Sequence, residues 1–256
     1  AALAIPMGYA ANDLVHDRTR VLLVAHRAGG FGAPENSLAG LSFAHRHGAD
    51  LVEVDVQRTA DGHYVLNHDE TFRRVAGVNR ASSEMTLAEV RELRIQGSAE
   101  RVPTVEEFLT AAHAIRMPVV LELKGATADE QMADDMVALA DRLDMRERVV
   151  LMSLDYRLVA AIERKNPDVV TGFAYFLAIG NAGTLASDLA FMEEGEATSA
   201  RLTDVLFAGK QSYVWTVNDG GAMATLALRG VNALITDEVA VARRVLDEHN
   251  SLSSAE

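Results

Sequence analysis

Two histidines and three acidic residues in the first half of the chain are candidates for a single catalytic site. They are His26 and His68, with Glu53, Asp55 and Glu122. Imidazole titrates near neutral pH, so two histidines can serve as general acid and general base. Three clustered carboxylates repel one another unless protons or a cation neutralise them, and such hard oxygen ligands suit Mg2+ or Ca2+. We therefore predict acid–base catalysis beside one divalent cation bound by the three acids.

Two basic residues and one tryptophan are candidates for contact with a substrate. Arg27 follows directly after His26, and Lys124 lies two residues after Glu122. An arginine can hold a phosphate with two parallel hydrogen bonds and a lysine with a point charge, although either could instead form a salt bridge with a neighbouring acid. Trp215 could form a flat wall beside the substrate or belong to the protein core. A purely ionic network is disfavoured because two histidines converge on the same place.

Short β-branched strands that alternate with capped helices must position these residues. The candidate strands are 21–26, 51–57, 119–124, 149–153, 169–175, 189–193, 212–217 and 233–236. Eight such strands in a chain of this length predict an α/β fold, a closed (β/α)8 TIM barrel, whose active site lies at the C-terminal ends of the strands. An open doubly wound sheet is disfavoured, because no Gly-rich phosphate fingerprint follows the first strand.

Helix boundaries can also be predicted from local signals. Thr86, Thr104 and Thr127 are each followed three residues later by Glu, which is the spacing of a capping box at a helix N-terminus. Gly48 follows an apolar helical pattern and predicts the C-terminal end of the helix after the first strand.

A strand-like segment at 63–68 does not fit the alternation. It follows the second strand after an Asp61-Gly62 pair, a strong signal for a tight hairpin. We expect this segment to return antiparallel to the second strand, because parallel strands need a longer crossover. A two-residue loop would place Asp55 opposite His68, with directly opposed side chains on one face of the sheet. The hairpin excursion is thus predicted to carry His68 to the barrel mouth.

The composition is that of an ordinary globular protein, with 49% hydrophobic and 24% charged residues in 256. No linker, repeat or low-complexity run divides the chain, so we predict one domain over 1–256. The formal net charge of −13 argues against binding to nucleic acid or to an anionic membrane. The chain has no cysteine, which excludes disulfides, thiol catalysis and cysteine-based zinc sites.

Two segments lie outside the predicted barrel elements. The apolar start of the chain, within 1–18, could be a strap packed on the barrel or the remnant of a junction with a preceding region. The segment 70–103 is a short insertion between the hairpin and the next barrel helix. These readings leave the localisation open between cytoplasmic and membrane-tethered.

Five sequence blocks together resemble the glycerophosphodiester phosphodiesterase family. They are HRAGGFGAPENS (26–37), EVDVQRTADGHYVLNHD (53–69), LELKG (121–125), WTVND (215–219) and LITD (234–237). The resemblance implies a barrel fold and hydrolysis of glycerophosphodiesters to sn-glycerol 3-phosphate and an alcohol.

The resemblance also implies roles for the candidate residues. The catalytic histidines of the family match His26 and His68, and its phosphate-contacting residues match Arg27 and Lys124. Its divalent cation corresponds to the three carboxylates named above. In the implied mechanism the glycerol 2-hydroxyl attacks phosphorus with one histidine as base, the other histidine protonates the leaving alcohol, and water opens the cyclic phosphate.

Some alternatives remain open at this point. The second half of the chain is similar to family members fused to an N-terminal membrane region, in which case a membrane contact would come from that region. The substrate could be a lysophospholipid, with Phe31, Phe72 and Trp215 forming an apolar groove for its acyl chain. A non-catalytic barrel that binds a phosphorylated ligand is a third possibility, disfavoured because no catalytic position is missing. The oligomeric state and the alcohol are not predicted.

Overall fold

The computed structural model of the chain describes residues 20–176 and 182–253, and within them a closed parallel barrel. The strands are β1 (Leu22–Ala25), β2 (Leu51–Arg58), β3 (Tyr64–Leu66), β4 (Val119–Leu123), β5 (Val149–Ser153), β6 (Val170–Tyr175), β7 (Leu189–Glu193), β8 (Gln211–Trp215) and β9 (Ala233–Thr236). All except β3 pair in parallel around the barrel, and β1 closes it by pairing with both β2 and β9. The predicted TIM barrel is confirmed.

Helices surround the barrel and follow the predicted alternation, except that the described residues between β6 and β7 contain no α-helix. They are α1 (Leu38–Arg46), α2 (Arg73–Ala76), α3 (Leu87–Arg91), α4 (Val105–Ala114), α5 (Glu130–Arg142), α6 (Tyr156–Lys165), α7 (Ser199–Phe207), α8 (Gly220–Leu228) and α9 (Val239–Ser253). None of the helices in the described ranges has both the length and the apolar character that crossing a membrane requires. The predicted N-terminal strap lies outside the described residues.

The predicted helix boundaries are confirmed except at α5. Capping boxes form at Thr86 and Thr104, and Gly48 follows α1 with a φ of 76°. The prediction for Thr127 was wrong: its hydroxyl donates to the Lys124 carbonyl oxygen within a 3-10 turn. Asp129 caps α5 instead, because its carboxylate accepts the Met132 backbone N–H at 2.8 Å.

The barrel strands are hydrophobic on both faces because both faces are covered. In β1, Leu22 and Val24 belong to the cluster inside the barrel, whereas Leu23 and Ala25 belong to the layer between strands and helices. Inside, the rings of Phe191 and Tyr213 lie 5.0 Å apart. Such near-continuous apolar strands are typical of parallel sheets enclosed by helices.

The hairpin forms, but its predicted register was wrong by one residue. Val56 faces Leu66 and Arg58 faces Tyr64, so Asp55 lies opposite Asn67, whose backbone N–H donates to the Asp55 carbonyl oxygen at 3.0 Å. The loop has three residues, 60–62, because the backbone N–H of Thr59 donates to the His63 carbonyl oxygen. His68 therefore lies one residue beyond this ladder.

The segment 70–103 contains α2, α3 and two isolated bridges, Thr71–Ala81 and Arg94–Arg101. It has an apolar cluster separate from the barrel core, formed by Val65, Phe72, Val75, Met85, Val90, Ile95 and Val102. Phe72 is fully buried in this cluster. The expectation that Phe72 could line a substrate groove was therefore wrong.

Candidate active site

The three acidic residues meet at the C-terminal end of the barrel. Glu53 and Asp55 are two residues apart on β2 and so face the same way, and Asp55 lies beside Glu122 of β4 in the register. One carboxylate oxygen from each lies within 4.8 Å of the others, and all three residues are buried. Glu53 Oε1 has no hydrogen-bond partner among the described residues. An unpartnered buried oxygen among three carboxylates fits a divalent cation.

The electrostatics of the acids support the same conclusion. Burial and the charge of Asp55 raise the pKa of Glu53 to about 8 and that of Glu122 to about 7. Burial also acts to raise the pKa of Asp55, but Lys124, His68 and a hydrogen bond from Asn36 lower it overall. Without a cation, the cluster cannot carry three negative charges at neutral pH, because like charges this close disfavour ionisation.

The two basic residues lie against these acids. Lys124 Nζ is 3.0 Å from Glu122 Oε1 and 3.1 Å from Asp55 Oδ1. Arg27 lies farther from the acids, with its Nε 3.9 Å from Asp55 Oδ2. This Nε atom has no hydrogen-bond partner among the described residues. The backbone N–H of Arg27 donates to Glu53 Oε2 at 2.9 Å. Both side chains are thus placed at the carboxylates, as the sequence predicts.

His26 follows β1 and is held by a carboxylate from the end of β9. Its Nδ1 lies 2.7 Å from Asp237 Oδ1, and Asn218 donates from Nδ2 to Asp237 Oδ2 at 2.9 Å. Burial acts to lower the pKa of His26, but the hydrogen bond to Asp237 and the charges of Glu53 and Asp237 raise it overall. With Nδ1 engaged by Asp237, Nε2 is the ring nitrogen that could transfer a proton.

His68 is held in the same way by a different set of residues. Its Nδ1 lies 2.8 Å from Asp69 Oδ1. Arg74 donates to both oxygens of Asp69 at 2.8 and 3.0 Å, and to both oxygens of Glu35 at 2.5 and 2.7 Å. Burial lowers the pKa of His68, which Asp55 and the bond to Asp69 only partly offset. The pKa values of the two histidines are therefore shifted in opposite directions.

A buried glutamine fixes the backbone that carries His68. Gln57 Nε2 donates to the carbonyl oxygens of Asn67 and Asp69, at 2.8 and 2.7 Å. The hairpin thus brings His68 to the site, and Gln57 and Asp69 fix it there in place of the predicted pairing with Asp55.

These groups line a cavity of about 150 Å3, the catalytic cavity. Its polar side consists of His26, Arg27, Glu53, His68, Glu122 and Lys124. The rest of its lining is mostly apolar and includes Met152, Phe191 and Trp215. Phe176, which is 60% exposed, contacts the Trp215 ring edge-on at a centroid distance of 4.8 Å. Trp215 therefore forms part of the wall of this cavity.

The amino-acid sequence matches a known family of proteins. A model of the glycerophosphoryl diester phosphodiesterase family matches residues 26–241, from His26 into α9. The chain belongs to this family. A glycerophosphodiester phosphodiesterase of Caldanaerobacter subterraneus subsp. tengcongensis is 25% identical over 230 residues, which cover 86% of this chain and 95% of that protein.

Solved structures share the fold of this glycerophosphoryl diester phosphodiesterase family member. An Oleispira antarctica phosphodiesterase, in complex with the product sn-glycerol-3-phosphate, superimposes with a TM-score of 0.80 at 24% identity, covering 88% of this chain and 96% of that one. Glycerophosphodiester phosphodiesterase from Agrobacterium tumefaciens gives a TM-score of 0.77 at 22% identity, covering 88% and 99%.

Several residues around the site of this family member were not singled out from the sequence. They are Glu35, Asn36, Gln57, Asp69, Arg74 and Asn218. Asn36 is buried and bonds both the carboxylate and the backbone N–H of Asp55. A local signal exists for Asp69, because it directly follows His68; Asp237 is the last residue of the LITD block (234–237). No local spacing pairs Glu35 with Arg74, which lie 39 residues apart.

Proposed function

We propose that the protein hydrolyses glycerophosphodiesters to sn-glycerol 3-phosphate and an alcohol. One observation carries this proposal: two histidines, each with Nδ1 held by a carboxylate, line one cavity with three buried acids and two basic side chains. Two histidines whose pKa values are shifted apart are suited to act as an acid and base pair. Membership of the family supports the same reaction class.

Glu53, Asp55 and Glu122 would hold one divalent cation, Mg2+ or Ca2+. When bound, the cation neutralises the carboxylates and stabilises negative charge that builds up on the substrate oxygens. Their three oxygen ligands and burial support a hard cation over a soft one. Asn36 would orient Asp55, since it makes two hydrogen bonds with that residue.

The side chains of this protein divide the remaining work. Arg27 and Lys124 would bind the phosphoryl oxygens, with Lys124 exchanging part of its contact with the acids for the phosphate. One histidine removes the proton from the glycerol 2-hydroxyl through Nε2 as that oxygen attacks phosphorus. The other donates a proton from Nε2 to the alcohol oxygen as its bond to phosphorus breaks. Water then opens the cyclic phosphate, with the proton transfers reversed.

The test is product analysis by 31P NMR with glycerophosphocholine. The purified protein with Mg2+ or Ca2+ should convert the diester signal to that of glycerol 3-phosphate, and EDTA should stop the conversion. Glu53→Gln should require a higher metal concentration for the same rate, because one ligand charge is removed. Release of phosphocholine in place of choline, or an EDTA-insensitive rate, would contradict the proposal.

A lysophospholipid is a second candidate substrate. The observation that favours it is the apolar edge of the catalytic cavity, where Leu154 and Phe176 are 41% and 60% exposed. An acyl chain attached to glycerol could lie along these side chains. A panel of lysophospholipids of increasing chain length would show rates that rise with chain length if this edge binds the acyl chain.

A further inference from the structure

A second cavity opens beside the catalytic cavity. It has a volume of about 850 Å3. The insertion forms one side of it through Glu70 and residues 81–83, and the loops after β4 and β5 form the other sides through residues 124–128 and 153–156. We call this space the side cavity.

The side cavity and the catalytic cavity meet at Lys124, one of the two residues that would bind the phosphate. His68, Glu122, Lys124 and Leu154 line both. A phosphodiester has two arms that leave the phosphorus in different directions. A phosphate at the junction would therefore extend one arm into each cavity. The catalytic cavity, at about 150 Å3, is the smaller of the two, so the compact three-carbon glycerol arm is assigned to it. The alcohol arm is left with the larger space.

Apart from the residues that line both cavities, the charged side chains of the side cavity are negative. Glu70 and Asp155 are the other charged side chains in its lining, and both are exposed to the cavity solvent. Glu70 has no hydrogen-bond or ion-pair partner in the part of the chain that the structure describes. Asp155 uses Oδ1 to accept the Arg157 backbone N–H at 2.8 Å. Lys124, the basic residue in the lining, is within 3.1 Å of two carboxylates, which offset its charge.

An aromatic side chain in the side cavity would also favour a positively charged ligand. Tyr156 lines the side cavity, is 40% exposed, and contacts Phe173 edge-on at 5.2 Å. The face of a tyrosine ring attracts an ammonium group. Two carboxylates and an aromatic ring around an open space match an alcohol that carries a positive charge.

We propose that the side cavity binds the alcohol arm of the diester and selects a cationic amino alcohol through Glu70, Asp155 and Tyr156. This inference rests on the proposed function, since it assigns the leaving alcohol of that reaction. A neutral alcohol of similar size would fit the space but would lack the attraction to the carboxylates. Glu70 and Asp155 are specificity-determining residues in this account and take no part in proton transfer.

The test compares glycerophosphocholine with glycerophosphoglycerol, whose alcohol is neutral. The variant is Glu70→Gln with Asp155→Asn. These changes preserve shape, and Asn caps a helix about as well as Asp, so α6 should form normally. The matched control is Glu147→Gln with Asp168→Asn, which removes two charges from exposed residues just before β5 and β6, at the opposite end of the barrel.

The double variant should lower kcat/KM for glycerophosphocholine about tenfold, at about three- to fivefold for each solvated charge lost near the ammonium group. The value for glycerophosphoglycerol should stay within about twofold, and the loss should shrink at high ionic strength because salt screens exposed charges. The control variant should leave both substrates unchanged.

Other outcomes distinguish a failure of this inference from a failure of the proposed function. If the wild-type protein hydrolyses both substrates and the double variant alters them equally or not at all, the side cavity does not select a cation and this inference is overturned, while the proposed function stands. If the wild-type protein hydrolyses neither substrate with any divalent cation, the proposed function is overturned and this inference with it.

Discussion

Replacing Asp237 by Asn should switch the protonation of His26. Asn218 fixes the outcome, because its Oδ1 accepts the Asp237 backbone N–H and the Thr236 hydroxyl, which leaves its Nδ2 to donate to Asp237 Oδ2. An Asn at 237 would keep its carbonyl oxygen toward that donor and turn its NH2 group toward His26. The Nδ1 atom of His26 would then have to accept a hydrogen bond, and the proton of the neutral ring would move to Nε2.

The size of the effect follows from the hydrogen bond that is lost. A hydrogen bond to a charged group contributes about 1.5–3 kcal/mol, which corresponds to about a 10- to 150-fold loss in kcat/KM. The pKa of His26 should fall, since burial lowers it and the two contributions of Asp237 that raise it are removed. The limb of the pH–rate profile that belongs to His26 should therefore move to lower pH.

The assay is kcat/KM for glycerophosphocholine between pH 5 and 9, at saturating divalent cation. Asp219→Asn is the control, because Asp219 caps α8 through the Ala222 backbone N–H and an Asn can do the same. It should retain the wild-type profile. Wild-type activity and an unmoved profile in Asp237→Asn would refute the argument that Asp237 sets the protonation of His26.

Three further predictions concern the metal, the His68 support and the backbone. Burial raises the pKa of Glu53 to about 8, so the apo protein binds more protons folded than unfolded between about pH 5 and 8 and loses stability as pH rises through that window. Stabilisation by Mg2+ or Ca2+ in a thermal melt should thus be larger at pH 8 than at pH 5.5, and an equal shift would contradict this. Arg74→Gln should reduce kcat/KM about tenfold, because the hydrogen bonds of Arg74 are lost. It should lower the unfolding free energy in urea by less than about 1 kcal/mol, because Arg74 is 47% exposed. A large loss of stability would instead indicate a mainly structural role. Gly30→Ala should abolish activity, because a Cβ there would lie 2.2 Å from the Asp237 carbonyl oxygen, whereas Gly62→Ala, with nothing within 4 Å, should cost only about 1 kcal/mol of stability.

The barrel could be predicted from the sequence because its signals are local. Each strand is a short apolar run of the kind that parallel sheets need, and the polar residues at the strand ends gather at one rim in any such barrel. The placement of His26 beside Glu53 and Glu122 follows from that rule alone. The capping boxes at Thr86 and Thr104 are likewise local, since donor and acceptor lie within one helical turn.

The hairpin register could not be predicted because the Asp-Gly pair fits two loop lengths. The observed loop has three residues and ends on Gly62, whose φ of 84° is the left-handed conformation typical of such loops. Thr59 favours this form, since its hydroxyl donates to Asp61 and accepts the His63 backbone N–H. Residue spacing alone does not predict such hydrogen bonds between a threonine side chain and the loop.

The support of His68 could not be predicted because it depends on distant parts of the chain. Arg74 of α2 joins Asp69 to Glu35, which lies in the loop between β1 and α1. That contact exists only once the insertion has folded around its own apolar cluster. The side cavity is of the same kind, since the insertion and the loops after two strands form it together.

In the proposed reaction, His26 and His68 act together on one phosphodiester. A double-mutant cycle tests it directly, with kcat measured at saturating glycerophosphocholine and divalent cation for His26→Ala, His68→Ala and both together. Each single variant should lose about 10²- to 10⁴-fold, the usual contribution of a positioned acid or base. The double variant should be little worse than the more damaged single variant, because residues that act as a unit are not additive. A single variant within tenfold of the wild-type rate would contradict the account.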